Sequence, residues 1–419
     1  MPRIDTLKTH FASVRSLVFD QLNQPGKGDS EWDYAFNLMT QIGRLTQDLS
    51  MVESDEAALQ IEYDRIRPLL SDFRQFTLRH HLTLAKPLWG WPPIQMDPSS
   101  ITCTGGKDLF VLISDICQKL RLKVKTGDAG WGAGQRLWNT LREAPVGVFD
   151  MRDRQAPEIA SAAYALGFAL VLGISPVVVA DKNSELPFDV DIPPVYLDGS
   201  DSDSQLLAES IDQAFFDFAR IGAQSSVNET LIMLADQLTG QDATTQVMKK
   251  RILEGNVSDP LEASAVIETL LSEQKDTELA VLRPSWPCFY PDRSGSRCFH
   301  VMPFSKKWSN KARELVFQAC NEHSVLYRRG DESDENRIIR AIWKEICRAN
   351  HVIVDLTGLN VNVCLELGLV HALGRHTIIL YRADESFELF PEISKLQVTH
   401  YDEGEIGDII GGFLDSDNT

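Results

Sequence analysis

A chain of 419 residues is too long for one hydrophobic core and points to two or three domains. Its hydrophobic and charged fractions, 43% and 24%, are those of an ordinary folded protein, and no apolar run reaches the roughly 18 residues needed to span a bilayer. The formal net charge of −19 argues against a surface for nucleic-acid phosphates, which is built from Lys and Arg, but leaves room for one small anionic ligand held by backbone N–H groups.

In chain order, MPRIDTLKTHFASVRSLVFD comes first and mixes charges with apolar residues at helical spacing, so it reads as an amphipathic helix rather than a signal peptide. Ile4, Leu7, Phe11, Val14, Leu17 and Val18 form one stripe, and similar patterns near 33–52 and 57–85 make residues 1–97 a helical N-terminal region. An α/β unit follows over 98–204, then a helical connector over 205–295, then a second α/β unit over 296–419. In each unit short apolar runs alternate with segments of 3.6-residue period, the pattern of a doubly wound parallel sheet covered on both faces. The expected fold class is therefore α/β, two tandem flavodoxin-like domains with helical additions. The last stretch, with Ile406, Ile409, Ile410 and Phe413 at helical spacing, is expected to pack onto the second unit. The seven cysteines form no CxxC pair, which suggests reduced thiols in a cytoplasmic protein with no metal site and no cofactor.

The two units read as copies of each other. Trp138 precedes Asp150, and Trp343 precedes Asp355, by the same 12 residues. Gly167 and Gly368, and Gly173 and Gly374, are each 201 positions apart. SELPFDVDIPPVYLDG in the first unit resembles FELFPEISKLQVTHYDEG in the second. An ordered series of matches of this kind is explained by duplication.

Ligands of open parallel sheets bind beyond the carboxyl ends of the strands, where strand order reverses. In the second unit the first strand ends near Pro303-Phe304 and the third at Asp355-Leu356-Thr357-Gly358, just before a helix that carries a single acid, Glu366, among Val363, Leu365, Leu367, Leu369 and Val370. An acid in so apolar a setting is either used or paired. Glu366 is thus either a functional carboxylate or the partner of an Arg or Lys at a helix interface. Asp355 either contacts a ligand or caps the following turn. Asn362 is a sugar contact or a cap, and Pro303-Phe304 a clamp or plain packing. Lys306, Lys307, Arg328 and Arg329 either meet a phosphate or stay solvated.

These segments resemble the nucleoside 2-deoxyribosyltransferase-like group, which is close to TIR-like domains in fold. The shared pattern is Pro303-Phe304, Asp355, Asn360-x-Asn362-Val363, Glu366-x-Gly368 and Ala372-x-Gly374, over roughly 110 residues of the second unit and only weakly in the first. The resemblance implies cleavage or exchange of an N-glycosidic bond in a nucleoside, nucleotide or NAD-like molecule. Glu366 would be nucleophile or stabiliser of the ribosyl cation, and Asp355 would assist it. Pro303, Phe304, Thr357, Asn360 and Asn362 would line the substrate. Where transferases of the group often have an aspartate, six residues before the glutamate, this chain has Asn360, which favours hydrolysis or binding over transfer. Such domains often act as effectors in bacterial defence or signalling. The expected partner is a small nucleotide or nucleoside, with no nucleic acid and no membrane, and the helical regions are candidate surfaces for self-association.

The 201 offset sets Ala165 opposite Glu366, so the first unit is expected to be non-catalytic, with Glu158 seven residues too early to substitute. A module that senses a nucleotide through two related pockets is the competing reading. The glycines of TGDAGWGAGQRLW are a weak phosphate-cradle signal, His80-His81 lack a carboxylate partner, and the Trp89/Trp91 pair is expected to anchor a linker against the first unit.

Overall fold

The computed structural model describes residues 83–90, 94–126, 132–152, 154–181, 184, 186, 192–200, 202–220, 280–282, 284–286, 296–330, 338–385 and 388–416. The helices expected over most of 1–97 and 205–295, His80-His81, Trp91 and most of the glycine-rich stretch lie outside these residues.

A short strand β1 (Thr83–Ala85) precedes the first unit. That unit runs β2 (Ser100–Thr104), α1 (Lys107–Leu120), β3 (Lys123–Thr126), α2 (Ala133–Arg142), β4 (Val146–Asp150), α3 (Ala156–Leu172), β5 (Ser175–Ala180), β6 (Val195–Tyr196) and α4 (Asp203–Arg220). Its sheet is wholly parallel, in the order β3-β2-β4-β5-β6. Another short strand, β7 (Ala280–Leu282), precedes the second unit: β8 (Arg297–Val301), α5 (Ser309–Glu322), β9 (Leu326–Arg329), α6 (Ile338–Arg348), β10 (His351–Asp355), α7 (Val361–Leu373), β11 (His376–Arg382), β12 (Val398–Tyr401) and α8 (Ile406–Asp415). Its sheet is also parallel, with the matching order β9-β8-β10-β11-β12. The central runs VGVFD, SPVVVA and HVIVD are buried at every position, as strands covered on both faces must be. Two tandem α/β domains are therefore present, and the C-terminal helix α8 packs onto α5 as its apolar stripe predicts.

Two boundaries differ from the sequence reading. α4 buries Leu207, Ile211 and Ala214 against Val146, Val148, Val177 and Val179, so it is the last layer of the first unit rather than connector. Thr83–Ala85, expected to end a helix, is a strand that pairs antiparallel with Ala280–Leu282, Leu84 opposite Val281. The repeated unit thus begins well before residues 98 and 296. After β1 the chain reads Lys86-Pro87-Leu88-Trp89, and after β7 it reads Arg283-Pro284-Ser285-Trp286. The Leu88 N–H donates to the His371 carbonyl (2.9 Å) and the Ser285 N–H to the Leu170 carbonyl (2.8 Å), two acceptors 201 positions apart. Trp89 lies against Gly134 of α2, with its carbonyl accepting from Gln135 Nε2 at 3.0 Å, so it does anchor this arm on the first unit. Trp286 packs against Trp343 of α6, ring centroids 5.6 Å apart and tilted by 50°.

The two domains join where α3 crosses α7. A Cβ built on Gly368 would lie 2.3 Å from the Tyr164 carbonyl oxygen, and one on Gly167 would lie 2.4 Å from that of Leu365. These paired glycines therefore let one domain's helix touch the other's backbone, and Gly368 faces α3. Gly374 closes α7 at φ +65, in the left-handed region that favours glycine, beneath the Lys86 carbonyl. Polar bonds flank the crossing: Tyr164 Oη with His371 Nδ1 at 2.7 Å, and Ser161 Oγ donating to Glu392 Oε1 at 2.9 Å.

Gly368→Ala must push two helix backbones apart. It is expected to cost about 1–3 kcal/mol and lower the thermal midpoint. Gly404→Ala, where an added Cβ meets nothing within 4 Å, is the control expected to change it little.

Candidate functional site

α7 is buried from Val363 to Leu373 because the β8–β10–β11 sheet covers one side and α3 the other. Its sequence is therefore apolar all round. Asn360 caps it, its side-chain oxygen accepting from the N–H groups of Asn362 (3.0 Å) and Val363 (3.3 Å). Gly368 fixes which side meets α3. Glu366, two residues earlier, is turned about 200° around the axis and so faces the sheet of its own domain, near the carboxyl ends of the strands. Asn362, one turn before Glu366, shares that side.

Glu366 is 4% exposed. No hydrogen bond or ion pair holds its carboxyl group among the described residues, so it is not sealed in a salt link with any of them. Burial alone pushes its pKa up to about 8. The group is thus mostly protonated at neutral pH. A cationic centre beside it would favour the carboxylate and pull the pKa back down.

Asp355 lies differently. Side chains alternate along β10: Val352 and Val354 belong to the core under α6 and α7, whereas Ile353 belongs to the core under α5 and α8. Asp355 follows Ile353 and faces α5 and α8, the opposite side of the sheet from Glu366. Its Oδ1 accepts from the Thr357 N–H (2.9 Å) and its Oδ2 from the Tyr401 hydroxyl (2.5 Å). Burial raises its pKa, and the bonds from Thr357 and Tyr401 oppose that rise. Thr357 is buried too, its Oγ1 accepting from the Arg382 N–H at 3.0 Å. Asp355, Thr357 and Tyr401 thus tie the ends of β10, β11 and β12 together.

At the end of β8, Pro303 is buried and its carbonyl accepts from Ser309 Oγ at 2.5 Å, which starts α5. Phe304 behaves otherwise. It is 38% exposed, lies near Gly330 and Ile342, and carries the Arg329 guanidinium 5.2 Å above its ring. Ile342 belongs to the same core as α7, so Phe304 and Glu366 share one side of the sheet. Lys306, Lys307 and Arg328 are exposed, whereas Arg329 is buried to 6% exposure.

In the first unit the same strand ends are filled. Asp150, the counterpart of Asp355, accepts from Arg152 Nε and Nη2 at 2.7 Å each and from Arg154 Nε at 2.9 Å. Arg154 also clamps Asp108 at 2.6 and 2.7 Å. Ala165 takes the place of Glu366 and is wholly buried, and Glu158 is exposed in the first turn of α3. The described residues contain no cluster of three or more His, Cys, Asp or Glu side chains placed to hold a metal.

The site residues thus sort by environment. Glu366, Asn362 and Phe304 share one side of the sheet, while the side chains of Asp355, Thr357 and Asn360 accept from backbone N–H groups and the Pro303 carbonyl accepts from Ser309 Oγ. Tyr401 was missed because its only sequence signal is one aromatic in a late strand.

Two measurements check this geometry. Glu366 has a folded pKa of about 8 against an ordinary 4.5, so between those values the folded state holds the extra proton and stability falls as pH rises. Glu366→Gln removes that slope. The variant is expected to gain on the parent by up to a few kcal/mol between pH 5 and pH 9 in urea titrations. Asp355→Asn and Tyr401→Phe are each expected to cost about 1–3 kcal/mol, and the double variant less than their sum, in a double-mutant cycle of unfolding.

No protein-family model matches the chain, and no curated protein matches it.

Proposed function

We propose that the second α/β unit is an N-glycosidase acting on a nucleoside, nucleotide or NAD-like substrate, with Glu366 as its reacting carboxylate. One observation carries this reading. A buried acid with no counter-charge among the described residues is held by a rigid helix at the carboxyl end of a parallel sheet in which β8 and β10 are neighbours. Keeping an uncompensated carboxyl group buried is costly, and a reaction that develops positive charge gives such a group a task.

Breaking a C1′–N bond creates an oxocarbenium-like centre. A carboxylate on the open face of the sugar stabilises that centre or bonds to it, and water then completes the hydrolysis. Asn362, on the same side of α7, is suited to hold a sugar hydroxyl, and Phe304 to stack on the base. Asp355 serves as a positioning residue through Thr357 and Tyr401. The strand order β9-β8-β10-β11-β12 is compatible with a flavodoxin-like arrangement, and the motif residues resemble the nucleoside 2-deoxyribosyltransferase-like group; both support this reading. The six described cysteines are free and buried, in keeping with a reducing compartment such as the cytoplasm. No helix among the described residues is long and apolar enough to cross a membrane.

A sensing module without turnover is the second reading. The observation favouring it is that α7 carries Glu366 on one side and the contact with α3 on the other, so occupancy would reach both domains.

The test is release of free base, read by chromatography, from nucleosides, nucleotides and NAD incubated with the purified chain. Glu366→Gln is expected to lower the rate by at least about 100-fold. The kcat/KM of the parent is expected to rise with pH and level off near 8, as Glu366 ionises in the free protein. Equal release by parent and variant removes Glu366 from the mechanism. A ligand that raises the melting temperature and is recovered intact supports sensing instead.

A further inference from the structure

Three non-glycine residues among those described have a left-handed backbone: Arg121 (φ 58), Ser324 (φ 58) and Leu359 (φ 47). Arg121 and Ser324 are exposed and stand just past the ends of α1 and α5, where a left-handed residue is a common way to stop a helix. Leu359 is different. It follows a strand and precedes a helix, and it is 5% exposed, with its side chain in the core that α6 and α7 share. Gly358 before it is left-handed too, at φ +80. A leucine in this conformation is strained, and such strain persists only where the surroundings enforce it.

The neighbours show what enforces it. The Leu356 N–H donates to the Leu380 carbonyl at 2.9 Å, and Thr357 is bound to Asp355 and to the Arg382 N–H. The Leu359 N–H then closes a turn on the Leu356 carbonyl at 2.9 Å. On the other flank Asn360 caps α7. Between these two fixed ends, burial of one leucine side chain holds the strained residue in place.

The matched glycines of the crossing show what this loop replaces. α3 begins 11 residues before Gly167, at Ala156, and α7 only 7 before Gly368, at Val361. The second unit thus lacks one helical turn, roughly 6 Å of axis, above the end of β10. A Cβ added to Gly358 there would meet nothing within 4 Å. Asn362 and Glu366 lie on the turns that come next. The first unit keeps the extra turn and closes its strand end with ion pairs around Asp150.

We propose that Leu359 is a positioning residue of the Glu366 site: its buried side chain holds a left-handed backbone that fixes where α7 starts, and with it the place of Asn362 and Glu366 over the strand ends. The catalytic consequence rests on the N-glycosidase reading, but the placement of Glu366 does not depend on turnover.

The test uses the full-length chain. Leu359→Gly and Leu359→Ala both remove the side chain, but only glycine adopts a positive φ without strain. Leu359→Gly is therefore expected to melt above Leu359→Ala, the reverse of their usual order. Positioning predicts that kcat for base release from nucleosides, nucleotides or NAD falls by at least about tenfold in both, with KM changed less. Leu359→Met, which keeps an apolar side chain of similar volume, is expected to stay close to the parent. A leucine that only packs predicts instead that kcat follows the melting temperature, with Leu359→Gly near the parent. A second readout needs no turnover. The parent loses stability between about pH 5 and pH 8 as Glu366 gives up its extra proton. A loosened loop admits water to Glu366, which is expected to flatten that slope in Leu359→Gly but not in Leu359→Met. A Leu359→Gly protein that melts at or below Leu359→Ala, or that keeps either the parental kcat or the parental slope, overturns the proposal and leaves the hydrolase standing wherever base is released. A flattened slope with no base released by the parent leaves the positioning role standing without the hydrolase.

Discussion

Two glycines in van der Waals contact across the domain boundary set the terms for most of this protein. Gly167 of α3 and Gly368 of α7 bring helix backbones so close that no side chain fits between them. Each helix already covers its own sheet. Pressing the two together buries both on all sides, and their sequences become nearly continuous apolar runs. The two flanking arms, with their matching N–H to carbonyl bonds, repeat the arrangement on either side of the crossing. An approximate two-fold relation between the copies accounts for these pairings, as it does for a self-complementary dimer interface.

The same constraint explains the setting of the lone acid. α7 has no solvated side on which Glu366 could rest. With one side given to α3, the other is the sheet, and the carboxyl group points there among core residues. Its raised pKa follows from burial in that placement. The counterpart helix has Ala165, which needs no such accommodation. Its strand ends are instead occupied by a closed set of ion pairs around Asp150.

Much of this was legible in the residues. Equal spacing of Trp138 and Asp150, and of Trp343 and Asp355, gave the duplication, and the buried strands gave the parallel sheets. The matched glycines were visible too, but not what they touched, because a helix buried on two sides shows no apolar stripe from which to choose a direction. The arms escaped notice since Lys86-Pro87-Leu88-Trp89 and Arg283-Pro284-Ser285-Trp286 share few residues and are spaced 197 apart rather than 201. Asp355 was aimed at the same cleft as Glu366 for a related reason. His351-Val352-Ile353-Val354-Asp355 is buried throughout, so no alternation of polar and apolar residues marks which side each position faces.

Covalent linkage of the copies has one more effect. A symmetric pair of identical chains must place the same residue at both equivalent positions, whether or not both are wanted. Here the halves are free to diverge, and Glu366 and Ala165 occupy related places on opposite sides of one crossing. The energetic burden of a buried acid at this position is therefore carried by one half, where the other has Ala165. The half that lacks it can spend its strand ends on ion pairing and serve as a rigid brace for the half that has it.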